Sequence, residues 1–336
     1  VDDGASTVSS DEQTTGSGRR LHYGEFYGLR EVPQDDRPLL VVHGNCQAES
    51  LRVLLGDGPS PASSPVRTVR IPPVHELEAV DLPHLDALLA QVDVLVSQPV
   101  AGGYRGLPLG TAEVASRAAR TGITGAVIGG GGGRGGVQLV VVPVLRWAAL
   151  HPFQVIVRSP GAGEPPLVPY HDLRTLALAA GAPPLREVPA AAAVRAVRDR
   201  SVAELRTREQ RHGSLPVVDL LARAGAHATH TVNHPGNEVL VGLAQRVLEA
   251  VGLPAEVSDP GRTLLDSVHA PVLPEVLDAL GLGDERDASH PGWLVHGRPL
   301  DDAEVREAHL RWYAEHPGVV EAGLTRHAGA AAALAA

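Results

Sequence analysis

Unbroken apolar runs of strand length alternate, in the first half of the chain, with stretches whose apolar residues recur every three or four positions. Arg37-Pro38 leads into Leu39, Leu40, Val41 and Val42, a run that predicts a strand buried on both faces. It stops at His43-Gly44-Asn45-Cys46. From Gln47 to Leu55 the apolar positions Leu51, Leu54 and Leu55 fit a helix, and Gly56 closes it as a C-terminal cap. A helix over Leu85 to Ala90 precedes a second run, Val92 to Val96, which ends at Ser97-Gln98-Pro99. Val137 to Val142 is a third run, and Val155 to Val157 is a short candidate fourth strand. Strands alternating with helices predict an α/β fold: a doubly wound, mostly parallel sheet with helices on both faces.

Beyond Val188 the period becomes helical, over Ala190 to Arg211, Leu215 to Ala224 and Glu238 to Val251. The stretch from Leu253 to Glu315 is interrupted by prolines and reads as helix or loop, so the C-terminal part is expected to be mainly helical. The expected organisation is a disordered polar leader (1–18), an α/β core (19–250), a helical extension packed on it (251–327) and a low-complexity tail (328–336). Leu21 to Leu29 concentrates aromatics in a chain that has few, and that segment is expected to pack on the core. The glycine run 129–136 lacks the Gly-Lys-Ser/Thr of a phosphate loop. A strand rather than a helix follows it, so it reads as a surface insertion.

Composition removes whole classes of chemistry. The chain has no lysine, so its 29 basic residues are all arginine, and Schiff-base catalysis and a phosphate-loop lysine are both excluded. One cysteine excludes an internal disulfide and a cysteine-rich metal site. The abundance of Ala, Gly and Arg fits a GC-rich coding sequence and carries little functional weight. A net charge of −10 argues against a nucleic-acid partner, though a local arginine patch for an anionic cofactor remains compatible. The first residues carry no signal-peptide pattern, the opening at Val1 fits a trimmed start, and no apolar run is long enough to span a membrane. A cytoplasmic protein is expected.

Cys46 is the leading candidate for chemistry. A thiol at a helix N-terminus faces the positive end of the dipole and unpaired N–H groups, which favour the thiolate over the free pKa near ~8.5. Those N–H groups, assisted by the Asn45 and Gln47 side chains, can form an oxyanion hole, and Gly44 permits the sharp turn. The competing reading is a small buried hydrophobe. Gln98 falls at a second strand end, where ligands of open α/β sheets bind. For a base, His227-Ala-Thr-His230-Thr-Val-Asn233-His234-Pro235 is the richest segment, with His234 just before a helix and Glu238 or Asp219 as candidate orienting carboxylates. Histidines at i, i+3 and i+7 also fit a metal site on a helix, but the β-branched run and Asn-His-Pro oppose a helix there, so no metal is expected. Tyr104-Arg105 and Tyr170-His171-Asp172 are polar clusters in Gly/Pro-rich loops, and Arg206, Arg208, Glu209 and Arg211 read as a solvated helix face.

His43-Gly-Asn-Cys-Gln-Ala-Glu-Ser-Leu51 after a buried strand resembles the opening motif of the WcbI-type polysaccharide-biosynthesis acetyltransferase family. Further matches follow in order: Tyr23 to Gly28, Ser97-Gln98-Pro99 with Tyr104-Arg105, Tyr170-His171-Asp172, Glu204 to Glu209, and Asn233-His234-Pro235. The resemblance covers roughly residues 21–250. It implies a coenzyme A-binding acetyltransferase of surface-polysaccharide assembly with Cys46 and His234 as the reactive pair. The acceptor would be a saccharide-like molecule or a secondary metabolite. The phosphates of coenzyme A call for arginines, and Arg52, Arg105 and Arg134 are placed near strand ends. His43, Gly44, Tyr104, Tyr170 and His171 complete the cofactor-binding candidates. Either Cys46 carries the acyl group or His234 activates the acceptor while Cys46 lines the pocket. A cysteine-dependent thioesterase or esterase on an SGNH-like plan, and a non-catalytic nucleotide- or sugar-binding protein, are the alternatives.

Overall fold

The hydrophobic run at Leu39 forms β1 (Leu39–His43), every residue of which is buried. It is the centre of a parallel four-stranded sheet in the computed structural model, which describes residues 18–32, 34–56, 64–119, 136–159, 161–288 and 292–335. The other strands are β2 (Arg67–Thr68), β3 (Val94–Ser97) and β4 (Gln138–Val141), in the order β2-β1-β3-β4. The chain leaves β1 in one direction to reach β2, then returns past β1 to β3 and continues to β4. Right-handed crossovers therefore place α1 (Cys46–Gly56) on one face and α2 (Leu82–Leu89) and α3 (Thr111–Ala119) on the other. The side-chain alternation agrees. Leu39, Val41 and Leu95 share a core with Leu85, Leu88, Leu89, Val114 and Ala118. Leu40, Val42, Val94 and Val96 point to the opposite face by the two-residue period of a strand. Tyr23, Phe26 and Tyr27 are buried in the first of these cores, as their concentration predicts.

The described chain forms two compact units, Val1–Val142 with Ala244–Pro260, and Pro143–Leu243 with Gly261–Ala336. The C-terminal residues are thus built into a second unit that begins at Pro143, whereas sequence alone suggested an extension beyond 250. Val155 belongs to that unit. It lies in β5 (Gln154–Val155), which pairs antiparallel with β6 (His171–Asp172) and not with the parallel sheet. The fourth strand of the parallel sheet is β2, too short and too polar to register as an apolar run. A bridge, β7 (Thr229–Thr231) with β8 (His234–Pro235), precedes the helix Asn237–Ala250. The stretch expected to be only helix and loop contains β9 (Val268–His269), β10 (Trp293–Val295) and β11 (Arg298–Leu300) as an antiparallel sheet. Two- and three-residue strands carry too few alternations to be seen in sequence.

The three predicted helical periods correspond to the helices Ala191–His212, Val218–Ala224 and Asn237–Ala250, and two further helices, Asp302–Glu315 and Pro317–Arg326, follow in the C-terminal part. The alanine-rich end is a helix as well, Ala328–Ala335, and Leu334 is fully buried against a cluster that includes Val197, Leu176 and Tyr313. The leader, the glycine run and Arg134 lie outside the described residues, apart from Gly18 and Gly136 at their edges. Leu334→Ala removes a docked side chain and is expected to cost about 2–5 kcal/mol in urea denaturation. A change under about 0.5 kcal/mol would mean that the terminal helix is undocked.

Candidate functional site

In the first unit the parallel strands reverse their direction of winding between β1 and β3, and that crevice is where ligands of such sheets bind. The ends of these strands carry His43, Gly44, Asn45 and Cys46 on one side and Gln98 on the other. Asn45 caps α1: its Oδ1 accepts the Gln47 amide at 2.9 Å and its carbonyl accepts the Ala48 amide at 2.9 Å. Cys46 is therefore the first helical residue, half-buried at the positive end of the helix. Gln98 closes a ring across the crevice. Its Oε1 accepts the Asn45 amide at 2.9 Å, and its Nε2 donates to Gln47 Oε1 at 3.0 Å.

Gly44 is needed for that ring. A Cβ there would stand 2.4 Å from Gln98 Oε1. Gln98 cannot easily yield, being 3% exposed and pinned at its carbonyl by Thr111 Oγ1 at 2.8 Å and Ser97 Oγ at 2.9 Å. The Asn45 and Gln47 side-chain oxygens both accept within the ring. Through those oxygens Asn45 and Gln47 set the helix start and brace the turn. His43 is also turned inward. It is fully buried, its Nε2 donates to the Leu109 carbonyl at 2.9 Å, and burial holds its pKa below the usual value. His43 and Gly44 thus shape the crevice from within.

The other first-unit candidates spread out. Tyr104 packs against the core, and Arg105, in a left-handed conformation at φ 53, donates to the His75 carbonyl. Arg52 sits farther along α1, paired with Glu49 at 2.8 Å and bonded to Thr68 Oγ1 at 3.0 Å. It lines a cleft of about 490 Å³ with Arg30, Arg37, Arg67 and Arg70. Four of these five arginines share two carboxylates: Asp35 pairs with Arg37 and Arg67, and Glu49 with Arg52 and Arg70.

In the second unit His234 lies in a short bridge just ahead of the helix Asn237–Ala250. Its Nε2 lies 3.3 Å from Tyr170 Oη, which also receives Thr231 Oγ1 at 2.9 Å. Neither expected carboxylate holds it. Glu238 is exposed at the start of its helix, and Asp219 is an exposed partner of Arg223 at 3.8 Å. The neighbours of His234 are instead histidines: His230 stacks 4.2 Å from His269, whose Nε2 is 2.6 Å from Asp266 Oδ1. Burial first, and then the charge on His269, holds His234 and His230 down at about 4. Sequence reading missed Tyr170 as the partner of His234, and it missed His269 and Asp266 altogether, because no spacing links residues 170, 234 and 269. His171, expected near a cofactor, is buried beside Tyr313, whereas Tyr170 meets His234. The Nδ1 of His171 is 2.7 Å from Tyr313 Oη, and burial lowers its pKa to about 4. Among the described residues no group of three or more His, Cys, Asp or Glu is arranged to hold a metal.

Two expectations follow. Gly44→Ala should cost about 1–3 kcal/mol in denaturant unfolding by breaking the Gln98 bonds, and much less in a Gln98→Ala background. Equal costs in both backgrounds would remove the ring as the reason for glycine. His151, His171, His230 and His234 all have pKa values of about 4 in the fold against 6.5 when free. Their contribution is intact above pH 6.5 and is lost as pH falls toward 4, by up to ~1.4 kcal/mol per pH unit for each. Urea midpoints taken from pH 7.5 to 5 should fall accordingly, and a flat profile would contradict buried neutral histidines.

The chain matches the family described as polysaccharide biosynthesis enzyme WcbI over residues 39–127 and 134–256, well over half its length. It is also similar to a solved structure of WcbI, described as a novel polysaccharide biosynthesis enzyme, in its native form without the disulfide bond between coenzyme A and a cysteine of that protein. The TM-score is 0.68 at 21% identity, over 89% of this chain and 98% of that one. No curated protein matches the chain. Among the described residues no helix is long and apolar enough to cross a membrane. With the winding of the sheet and most of the chain accounted for, the protein belongs to the WcbI family of polysaccharide biosynthesis enzymes.

Proposed function

We propose that this enzyme transfers an acyl group, acetyl in the simplest case, from coenzyme A to a hydroxyl of a saccharide or related biosynthetic acceptor, working in the cytoplasm. The observation that carries the reading is the station of Cys46. It is the first residue of a helix that starts at the winding reversal of the sheet, with the turn before it braced by Asn45, Gln47 and Gln98. A thiolate there is stabilised by the helix and sits where such sheets bind substrates. The similar WcbI structure is described by reference to a disulfide between coenzyme A and one of its cysteines, and Cys46 is the one cysteine this chain has for such an encounter.

In this reading Cys46 Sγ attacks the acyl carbonyl carbon, the bond from that carbon to the sulfur of coenzyme A breaks, and the coenzyme leaves as a thiol after gaining a proton. The exchange replaces one thioester by another and is close to thermoneutral. The acceptor oxygen then attacks the acyl carbon and gives its proton to a general base, for which the match of Asn233-His234-Pro235 to the family motif nominates His234, and Cys46 leaves as thiolate. A histidine held at about 4 is neutral at physiological pH, so it is in the form that accepts a proton. The phenol of Tyr170 at its Nε2 fixes the ring in place of a carboxylate.

Intact-protein mass spectrometry after incubation with acetyl-CoA tests both roles. A single acetyl adduct is expected on the wild type and none on Cys46→Ala. His234→Gln should still acquire the adduct but release it to an acceptor about 10²–10⁴-fold more slowly. An adduct that survives Cys46→Ala, or wild-type turnover in His234→Gln, would remove the corresponding role.

A further inference from the structure

A second cavity, of about 140 Å³ and wholly within the second unit, lies beside the helix Ala191–His212 and has Arg146, Gln154, Ser201 and His327 on its wall. Its polar atoms are unbalanced. Arg146 is half-buried and, among the described residues, makes no hydrogen bond or ion pair. Gln154 is 7% exposed. Its Oε1 accepts the Val232 amide at 2.6 Å, which fixes the orientation of the amide, and its Nε2 is buried with no acceptor. Ser201 Oγ accepts the Ala148 amide at 3.3 Å, and its own proton goes to no described group. The one carboxylate on the wall, Glu204, is already paired with Arg200 at 2.8 Å. Arg146 and Ser201 thus line the cavity with donors that have no described acceptor, and Gln154 Nε2, buried in its wall, also lacks one.

Its charge is unbalanced in the same sense. The charges acting on Arg146 are those of Arg208, Arg326 and Arg158, opposed by Glu204, and burial together with these like charges pushes its pKa down. An arginine kept half-buried among arginines lowers stability unless something else answers it. The first-unit cleft differs in that four of its five arginines share a carboxylate partner, Asp35 or Glu49. The remaining wall is apolar, from Ile156, Val197, Val232 and the terminal-helix alanines Ala330 and Ala333.

We propose that this cavity is a phosphate-binding site for a ligand that carries a phosphomonoester or diphosphate on an apolar or planar body. A phosphomonoester brings nearly two negative charges and several acceptor oxygens. Guanidinium groups match that geometry in two-pronged fashion. The phosphate can come from the acyl donor or from a nucleoside-diphosphate acceptor. The site itself depends on neither, nor on the roles of Cys46 and His234.

Calorimetric titration of the full chain with inorganic pyrophosphate, coenzyme A, 3′-dephospho-coenzyme A and UDP tests the proposal. Wild type should bind pyrophosphate and at least one of the larger probes, more weakly as salt rises. Arg146→Gln should weaken that binding at least ~10-fold. Loss for coenzyme A, with or without its 3′-phosphate, but not for UDP identifies the donor, whereas loss confined to UDP identifies the acceptor. The ligand-free variant should melt no lower than wild type, because a repelled charge has been removed, and pyrophosphate should raise the melting temperature of wild type alone. Arg326→Gln, at an exposed position, gives the same test with a smaller loss if the first variant folds poorly. The proposal is overturned if wild type binds no probe below 1 mM, a ceiling set at the weak end of measurable affinity. It is also overturned if both variants keep wild-type affinity, or if Arg146→Gln melts lower and binds normally. Failure of acetyl transfer to Cys46 leaves each of these readouts unchanged.

Discussion

The first unit is organised by the closeness of Gln98 to the backbone at Gly44. The parallel register pairs His43 with Ser97, so the residues that follow each strand meet across the crevice at which the sheet reverses its winding. A side chain at position 44 would occupy the space of the Gln98 amide. With glycine there, the amide joins the Asn45 backbone to the Gln47 side chain, and Asn45 in turn caps the helix. The place where α1 begins, and so the place of Cys46 at its first turn, follows from this contact. Shifting the helix start by one residue would rotate Cys46 by about 100° around the axis and move it off the N-terminal turn.

The second unit solves a different problem. It buries His151 and His171 and half-buries His230 and His234, and desolvation is the first cause of the low pKa of each. A buried neutral imidazole is costly only when it must charge, so the arrangement is stable at neutral pH and vulnerable in acid. It also separates roles among residues adjacent in sequence. Tyr170, just ahead of β6, meets His234, while His171, the first residue of that strand, meets Tyr313.

Legibility in the sequence followed the length of each signal. The runs at Leu39 and Val92, the helical period from Ala190 to Arg211 and the Gly-Asn-Cys turn each involve several consecutive residues, and each is found in the structure close to where the pattern put it. β2, and the strands around Val268 and Trp293, contain two or three residues and left no usable periodicity. The alanine-rich end illustrates the opposite error. Its composition is that of low complexity, yet alanine is the strongest helix former, and Leu334 docks the helix with Ala330 and Ala331 packed beside it. At the candidate site the residues adjacent in sequence to Cys46 were legible. The contacts of His234 with Tyr170 and with the His269–Asp266 pair were not, because they join distant segments through short strands.

The arginines make the last point about reading charge from sequence. Arg52 and Arg146 look alike along the chain, each a lone cation in a largely apolar stretch. In the fold Arg52 belongs to a network with Glu49 and Thr68 that closes without a ligand. Arg146 faces like charges and a wall of donors that the protein does not satisfy. A natural core tolerates such an imbalance where function supplies the missing partner, and rarely elsewhere. Position near a strand end pointed to Arg52 for phosphate contact. The distribution of acceptors, which only the folded chain reveals, favours Arg146.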